Sequence, residues 1–143
     1  MSVRLTVQLP VQPGKGNEFK AAAKPALARV KREESIEEMK HADRVIERIL
    51  YLEGIPNMQR MHSVRVGEDP IEQHNLDLAL EKEAVARLNK GVALAREKAD
   101  NGTRDLLESI LKDEEESIDW HETQLHLVQE IGKERCLAQM IHD

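Results

Sequence analysis

Three glutamates fall on helical faces whose other positions are apolar, and the first of them is accompanied by a histidine. On a wheel of ~100° per residue, Glu38 lies in the centre of the apolar stripe of residues 34–54, and His41 lies within ~60° of that centre. The apolar positions of the stripe are Val45, Ile49 and Leu52. Side chains three residues apart share one helix face, so Glu38 and His41 can reach the same bound ion.

The same pattern recurs in two later segments. Glu81 lies in the middle of one apolar stripe, and Glu114 lies at the centre of another, which also carries His121. The first of these stripes consists of Ala84, Val85, Leu88, Val92, Ala95 and Ala99, and the second of Leu107, Ile110, Leu111, Ile118, Leu125 and Val128. Three predicted helices therefore each direct a glutamate toward one core.

Buried carboxylates that face one another repel unless they are protonated, paired or bound to a cation. Carboxylate oxygens together with an imidazole are ligands that suit iron or manganese. In helical bundles, a Glu-x-x-His pair on two helices and a single glutamate on each of two others form a di-iron site. A glutamate at the edge of an apolar stripe can also extend to water, and the periodicity alone leaves that alternative open.

The composition sets limits on the class of protein. The chain has 143 residues, a net charge of −6, 34% charged residues and 2% aromatic residues, which favours one domain of long charged helices. The acidic balance argues against binding of nucleic acid. The single cysteine, Cys136, excludes a disulfide framework and is expected to be a small buried side chain. No apolar run has the length of a membrane span, so we expect a cytoplasmic protein that does not bind membranes.

The N-terminal residues differ from the helical remainder. In residues 1–16, apolar side chains alternate with other residues, which is the period of a strand, and prolines and glycines then exclude a continuing helix. A short helix can start at Asn17, with Pro25 breaking or kinking it. Long helices are expected over about residues 26–53, 71–99 and 103–131, where Thr103 is the expected cap, and a short helix is expected over about 134–142. We therefore predict an atypical segment, residues 1–25, followed by a helical domain, residues 26–143.

The stretches ESIEEMKHADRVIERILYLEGIPN, VRVGEDPIEQHNLDLALE and RDLLESILKDEEESIDWHETQLHLVQEIG closely resemble bacterioferritin. The resemblance extends from about Glu34 to Met140. It implies an all-α, ferritin-like helical bundle with three long helices and a short C-terminal helix. The first bundle helix of the family is missing here, or is replaced by the predicted strand and short helix.

The resemblance also implies a site. It assigns Glu38, His41, Glu81 and Glu114 as iron ligands and catalytic residues, with Glu38 and Glu114 bridging two irons. Met39, in the EMKHAD context, corresponds to the methionine that binds haem b across a twofold subunit interface. Without the resemblance, Met39 would be interpreted as a hydrophobic interface contact.

The chain departs from the family at two places. Ser117 stands where the family has the histidine of its second Glu-x-x-His pair, and His121 on the same face lies ~6 Å further along the axis. Leu5 stands at the ungapped position of the carboxylate from the first family helix. Residues 7–27 faintly resemble the opening of small ferredoxin-like monooxygenases, but the match is too short to imply that activity, and a fused or mis-started N-terminus would explain it equally well.

The expected function is iron storage and detoxification in a haem-containing cage of twenty-four subunits. The family oxidises Fe²⁺ to Fe³⁺ with O₂ or H₂O₂, and its haem is implied to receive electrons, from a partner such as a small ferredoxin, for iron release. With an incomplete di-iron centre, the chain is similar to the haem-bearing subunit of cages that also contain a ferroxidase-competent subunit. Two alternatives remain, so enzymatic activity is left open: an active ferroxidase, and a helical interaction protein that neither assembles nor binds metal.

Overall fold

Three long α-helices make up the structure, a computed structural model that describes residues 24–59, 65, 67–132 and 135. The helices are α1 (Lys24–Tyr51), α2 (Pro70–Glu97) and α3 (Asn101–Ile131), and the described residues contain no strand. The predicted all-α fold is confirmed. The strand predicted for residues 1–16 lies outside the described residues, as does most of the short C-terminal helix. Pro25 is the second residue of α1, and the start of the short helix predicted from Asn17 lies outside the described residues.

The contacts between helices define the topology. A turn of three residues, 98–100, makes α2 and α3 antiparallel neighbours. The C-terminal part of α1 contacts the start of α3, where Arg48 reaches Thr103, while the N-terminal part of α1 contacts the start of α2, where Lys31 reaches Asp77. Thus α1 and α2 run parallel, and the long connection between Tyr51 and Pro70 is the crossover that characterises ferritin-like bundles.

Aspartates begin the second and third helices. Asp69 accepts hydrogen bonds from the backbone N–H groups of Ile71 and Glu72, and Asp100 accepts one from that of Thr103 at 3.0 Å. The prediction that Thr103 caps α3 is therefore wrong. An aspartate at the cap satisfies an otherwise unpaired N–H group and also places negative charge at the positive end of the helix dipole.

Two residues after the end of both α1 and α2, the chain has a residue with left-handed backbone, and neither residue is a glycine. Glu53 has φ 58° and Ala99 has φ 55°. In each case the following N–H bonds back across the last turn, from Gly54 to the Ile49 carbonyl at 2.8 Å and from Asp100 to the Ala95 carbonyl at 2.9 Å. Ala99 is exposed and lies beyond α2, so the prediction that it belongs to the apolar stripe is wrong.

The interior is divided into two halves along the long axis. In the apolar half, near the turn between α2 and α3, the buried side chains are Ala42, Val45, Ala95, Leu107 and Ile110. A Cβ on Gly91 would lie 2.8 Å from Leu107 Cδ1, so this glycine allows α2 to approach α3 closely. In the other half, the polar half, buried or half-buried glutamates and histidines from all three helices occupy the same inward faces.

Arg48 closes the outer end of the apolar half. Its Nε donates to Thr103 Oγ1 at 2.9 Å, and its Nη2 donates to Asp100 Oδ1 at 2.6 Å. Its guanidinium also lies 4.7 Å from the centre of the Tyr51 ring. The bonds with Thr103 and with this arginine lower the pKa of the Asp100 carboxyl. Arg48 thus connects α1 to the residue that caps α3.

We expect Arg48→Met to lower the free energy of unfolding by about 1–2 kcal/mol, because two hydrogen bonds to a charged donor are lost. Since the pKa of Asp100 is lowered in the folded state, the ionised Asp100 carboxylate stabilises the fold at neutral pH. This stabilisation declines once the pH falls below the ordinary pKa of an aspartate, and it is lost when the pH falls below the lowered pKa of Asp100. Urea unfolding of both proteins at pH 7 and at pH 3 measures this; equal stability of the two proteins at pH 7 would contradict it.

Candidate metal centre

Glu38 and His41 of α1 meet Glu114 of α3 in the polar half. One ligand atom from each residue lies within 4.8 Å of the other two. Glu114 is 6% exposed, His41 is buried and Glu38 is half-buried. Because α1 and α3 are antiparallel, the Glu-x-x-His pair of one helix faces the glutamate of the other. Two carboxylates and one imidazole thus surround a common point.

The two carboxylates strongly influence each other. The pKa of Glu38 is raised to about 7, first by burial and then by the negative charge of Glu114; Glu81 adds to the effect, while His41 opposes it. Ionisation of Glu38 is therefore disfavoured in the metal-free protein. A divalent cation placed between these oxygens would favour it.

His41 is held from its outer side. Its Nε2 lies 3.0 Å from Asp113 Oδ2, and its Nδ1, which lies 3.6 Å from Glu114 Oε1, has no hydrogen-bond partner among the described residues. The pKa of His41 is raised, chiefly by Glu114 and also by Asp113 and Glu38, against the lowering effect of burial. A carboxylate that orients the far nitrogen of an imidazole is the usual outer partner of a histidine that binds metal. Nδ1 is thus the free nitrogen that faces the carboxylates.

Glu81 lies beside this cluster but is engaged by other groups. Its Oε1 accepts a hydrogen bond from Ser117 Oγ at 2.7 Å and lies 3.2 Å from His121 Nε2, while its Oε2 is buried and has no hydrogen-bond partner in the part of the chain that the structure describes. Ser117 therefore contacts the fourth carboxylate instead of offering a second imidazole. The four predicted ligands lie in the same half of the core, with Glu38, His41 and Glu114 forming the tightest group.

His121 is fully buried and belongs to a cluster of rings, of which the apolar stripes of the sequence predicted only His121. Its Nδ1 lies 2.8 Å from Nδ1 of His74, which is 2% exposed, and both rings contact Trp120. Burial, His121 and Lys31 lower the pKa of His74 to about 4, so this imidazole is neutral at physiological pH. The spacing of His74, Asp77 and Glu81 places all three on one face of α2, and this pattern was the signal that sequence analysis overlooked.

Met39 lies on a different face of α1, directed away from the cluster. It is 47% exposed and belongs to an outward apolar stripe that also contains Ile36, Ile46 and Leu50. The stripe has the i, i+3, i+10, i+14 spacing of one helix face. Exposed apolar side chains arranged in this way are typical of a subunit interface.

A bundle with a long crossover and an interior cluster of glutamates and a histidine defines the ferritin-like class of protein. A family described as "Ferritin-like domain" matches residues 18–131. A bacterioferritin of Mycobacterium leprae is 48% identical over 115 residues, covering 80% of this chain and 72% of that protein, and one of Streptomyces coelicolor is 43% identical, covering 80% and 69%. The chain belongs to the bacterioferritins, within the ferritin-like family.

The structural comparison agrees with this assignment. The Mycobacterium tuberculosis bacterioferritin BfrA superimposes with a TM-score of 0.81 at 44% sequence identity, covering 83% of this chain and 75% of that one. The family and fold predicted from the sequence are confirmed. Among the described residues, no helix is long and apolar enough to cross a membrane.

In the metal-free protein, we expect Glu38→Gln to be stabilising. Because the folded pKa of Glu38 is raised to about 7, the free energy of unfolding falls as the pH rises from the ordinary value of 4.5 to about 7, and it stays low above that. A neutral amide removes this cost, so stability at pH 8 should rise by about 1–2 kcal/mol. Thermal unfolding in the presence of a chelator measures the change.

Glu47→Gln is the matched control, since Glu47 lies exposed on the same helix. It should change stability by less than about 0.5 kcal/mol. A Glu38→Gln protein that is no more stable than this control at pH 8 would show that the ionised Glu38 carboxylate does not destabilise the fold.

Proposed function

We propose that this chain is an iron-storage subunit of a bacterioferritin cage, of the haem-bearing type, whose own di-iron centre is incomplete. Family membership supports iron storage. The observation that carries the proposal is the convergence of Glu38, His41 and Glu114 from two antiparallel helices around one buried point. Fe²⁺ is here a substrate, which enters the polar half and is destined for a stored ferric mineral.

The three clustered residues are suited to bind one Fe²⁺ ion. Glu38 and Glu114 supply anionic oxygens, which favour the harder Fe³⁺ ion and so favour loss of an electron to O₂ or H₂O₂. His41 supplies Nδ1, and Asp113 fixes the orientation of that ring through Nε2. Binding at this point would also offset the burial and the like charge of Glu114, which together raise the pKa of Glu38.

A second ion at the same centre would depend on Glu81 and on the residue at position 117. Ser117 offers a hydroxyl, a much poorer ligand than imidazole, and that hydroxyl donates to Glu81 Oε1. One of the two Glu-x-x-His pairs that a di-iron centre uses is therefore lost. We infer that this subunit alone oxidises iron slowly, and that a ferroxidase-competent subunit in the same cage supplies most of the oxidation.

Restoring the histidine tests this inference. We expect Ser117→His to raise the initial rate of Fe²⁺ oxidation roughly tenfold or more, because an imidazole then joins Glu81 at the second ion. Stopped-flow measurement of Fe³⁺ formation on the purified chain gives the rate. Ser109→His, on the exposed surface of the same helix, is the control and should leave the rate unchanged.

The active ferroxidase is the second candidate, and one observation favours it. His121 Nε2 lies 3.2 Å from Glu81 Oε1, so this imidazole is placed to take over the role of the lost one. In that case the unaltered chain oxidises Fe²⁺ well above the uncatalysed rate, and His121→Leu abolishes the excess. An unaltered chain no faster than autoxidation excludes this candidate.

The outward stripe of α1 supports assembly and the haem. Met39 places a thioether, which is a suitable axial ligand for haem iron, among exposed apolar side chains. Two copies that pack through this stripe about a twofold axis would each contribute one Met39 to a shared group. The residues present therefore fit haem b, which when bound would carry electrons for iron release, from a donor such as a small ferredoxin.

We expect Met39→Leu to lose the haem absorbance while the oligomer persists, because leucine keeps the apolar contact and removes the sulfur. Absorbance spectra and size-exclusion chromatography of the same samples measure both. Met58→Leu is the control, since Met58 is also exposed but lies in the crossover.

Retention of haem by the Met39→Leu protein would remove the haem assignment. Elution of the unaltered protein as a 16.3 kDa monomer without metal would instead support the helical interaction protein, which neither assembles nor binds metal.

A further inference from the structure

A second group of metal-ligating side chains lies further along the polar half. Glu34 of α1, Asp77 of α2 and His121 of α3 each place one ligand atom within 4.8 Å of the other two. None of these residues belongs to the cluster of Glu38, His41 and Glu114. All three described helices thus contribute one ligand to this group, which we call the three-helix group.

His121 gives the three-helix group a buried imidazole. The residue is 0% exposed, and its Nε2 lies 3.2 Å from Glu81 Oε1 but forms no hydrogen bond with any described residue. Its Nδ1 lies 2.8 Å from His74 Nδ1, so the ring is held from behind by another imidazole. An imidazole held through one nitrogen and free at the other is prepared for metal binding.

A lysine already supplies positive charge to the same carboxylates. Lys31 Nζ lies 2.7 Å from Glu34 Oε2 and 2.7 Å from Asp77 Oδ2. With Lys31 in place, two carboxylates and one ammonium leave a net charge of −1. A divalent cation in place of the ammonium would bring the charge to zero, and a nitrogen of His121 could bind it as well.

We propose that the three-helix group is a second divalent-metal site, and that the Lys31 ammonium occupies its carboxylates until a metal displaces it. One imidazole and two carboxylates suit Zn²⁺, Co²⁺ and Fe²⁺. Lys31 is 27% exposed in its side chain, so the ammonium can withdraw to solvent on its flexible stem. The three-helix group shares no residue with the cluster of Glu38, His41 and Glu114, although His121 also contacts Glu81, and the proposal does not depend on iron oxidation.

Zn²⁺ binding to the full-length assembled protein tests the proposal. The Glu38→Gln/Glu114→Gln double variant serves as the parent, because it disables the first centre. We expect the parent to bind one Zn²⁺ per chain in equilibrium dialysis followed by elemental analysis, and we expect addition of His121→Leu to abolish this binding. A leucine fills the buried position, and circular dichroism shows whether the helices are retained.

Removal of the lysine gives an effect in the opposite direction. Adding Lys31→Met to the same parent should tighten Zn²⁺ binding about tenfold, because the competing ammonium is gone. Lys82→Met is the matched control: Lys82 makes an exposed ion pair between α2 and Glu122 of α3, and its loss should leave the affinity unchanged.

Cobalt provides an independent measurement. Co²⁺ added to the parent should give visible absorption bands that shift or vanish in the His121→Leu protein. Equal Zn²⁺ stoichiometry with and without His121, or an affinity that Lys31→Met does not tighten, would overturn the proposal. Neither result would bear on the centre at Glu38, because the parent lacks two of its carboxylates.

Discussion

Like charges that are buried together need a positive partner, and this constraint shapes the interior of the bundle. Glu38 and Glu114 face each other with Glu81 nearby, and burial, followed by these like charges, raises the pKa of Glu38 to about 7. Groups that can carry a proton lie beside these carboxylates: His41 lies beside Glu114, and Ser117 lies beside Glu81. A bound cation would satisfy the same carboxylates more fully.

The division of the core into two halves separates stability from chemistry. In the apolar half, small and aliphatic side chains pack closely, helped by Gly91 against Leu107, and Arg48 joins α1 to the cap of α3. In the polar half, the same helix faces carry ionisable groups that contribute little hydrophobic stabilisation. Stability that is lost at a binding site is commonly recovered elsewhere in a fold, and here the two regions lie end to end along the same three helices.

The sequence predicted the helices and the membership of the main cluster, because both follow from one periodicity. A glutamate in an apolar stripe must face the core if the helix does, so Glu38 and Glu114 could be placed before any coordinates. The helix ends were predicted less well. Helices α1 and α2 end two residues before their predicted ends, and Glu53 and Ala99 adopt a left-handed backbone that glycine would adopt more easily.

Contacts between helices were the least predictable part. The bond from Ser117 to Glu81, the pairing of His74 with His121 and the position of Lys31 between two carboxylates depend on the rotation and offset of neighbouring helices. A wheel drawn for one helix gives the face of a residue but not its partner across the core. The family resemblance also gave no guide to His121, because it supplied no role for that position.

The separation of the two halves also affects how the molecule moves. Local opening costs least where few apolar contacts are lost, so the free energy of opening should be unevenly distributed along each helix. Amide hydrogens next to the α2–α3 turn would exchange slowly, while those around the carboxylates would exchange faster without global unfolding. Solvent and small ions could then reach the buried acids through brief fluctuations at one end, while the opposite end keeps the helices in register.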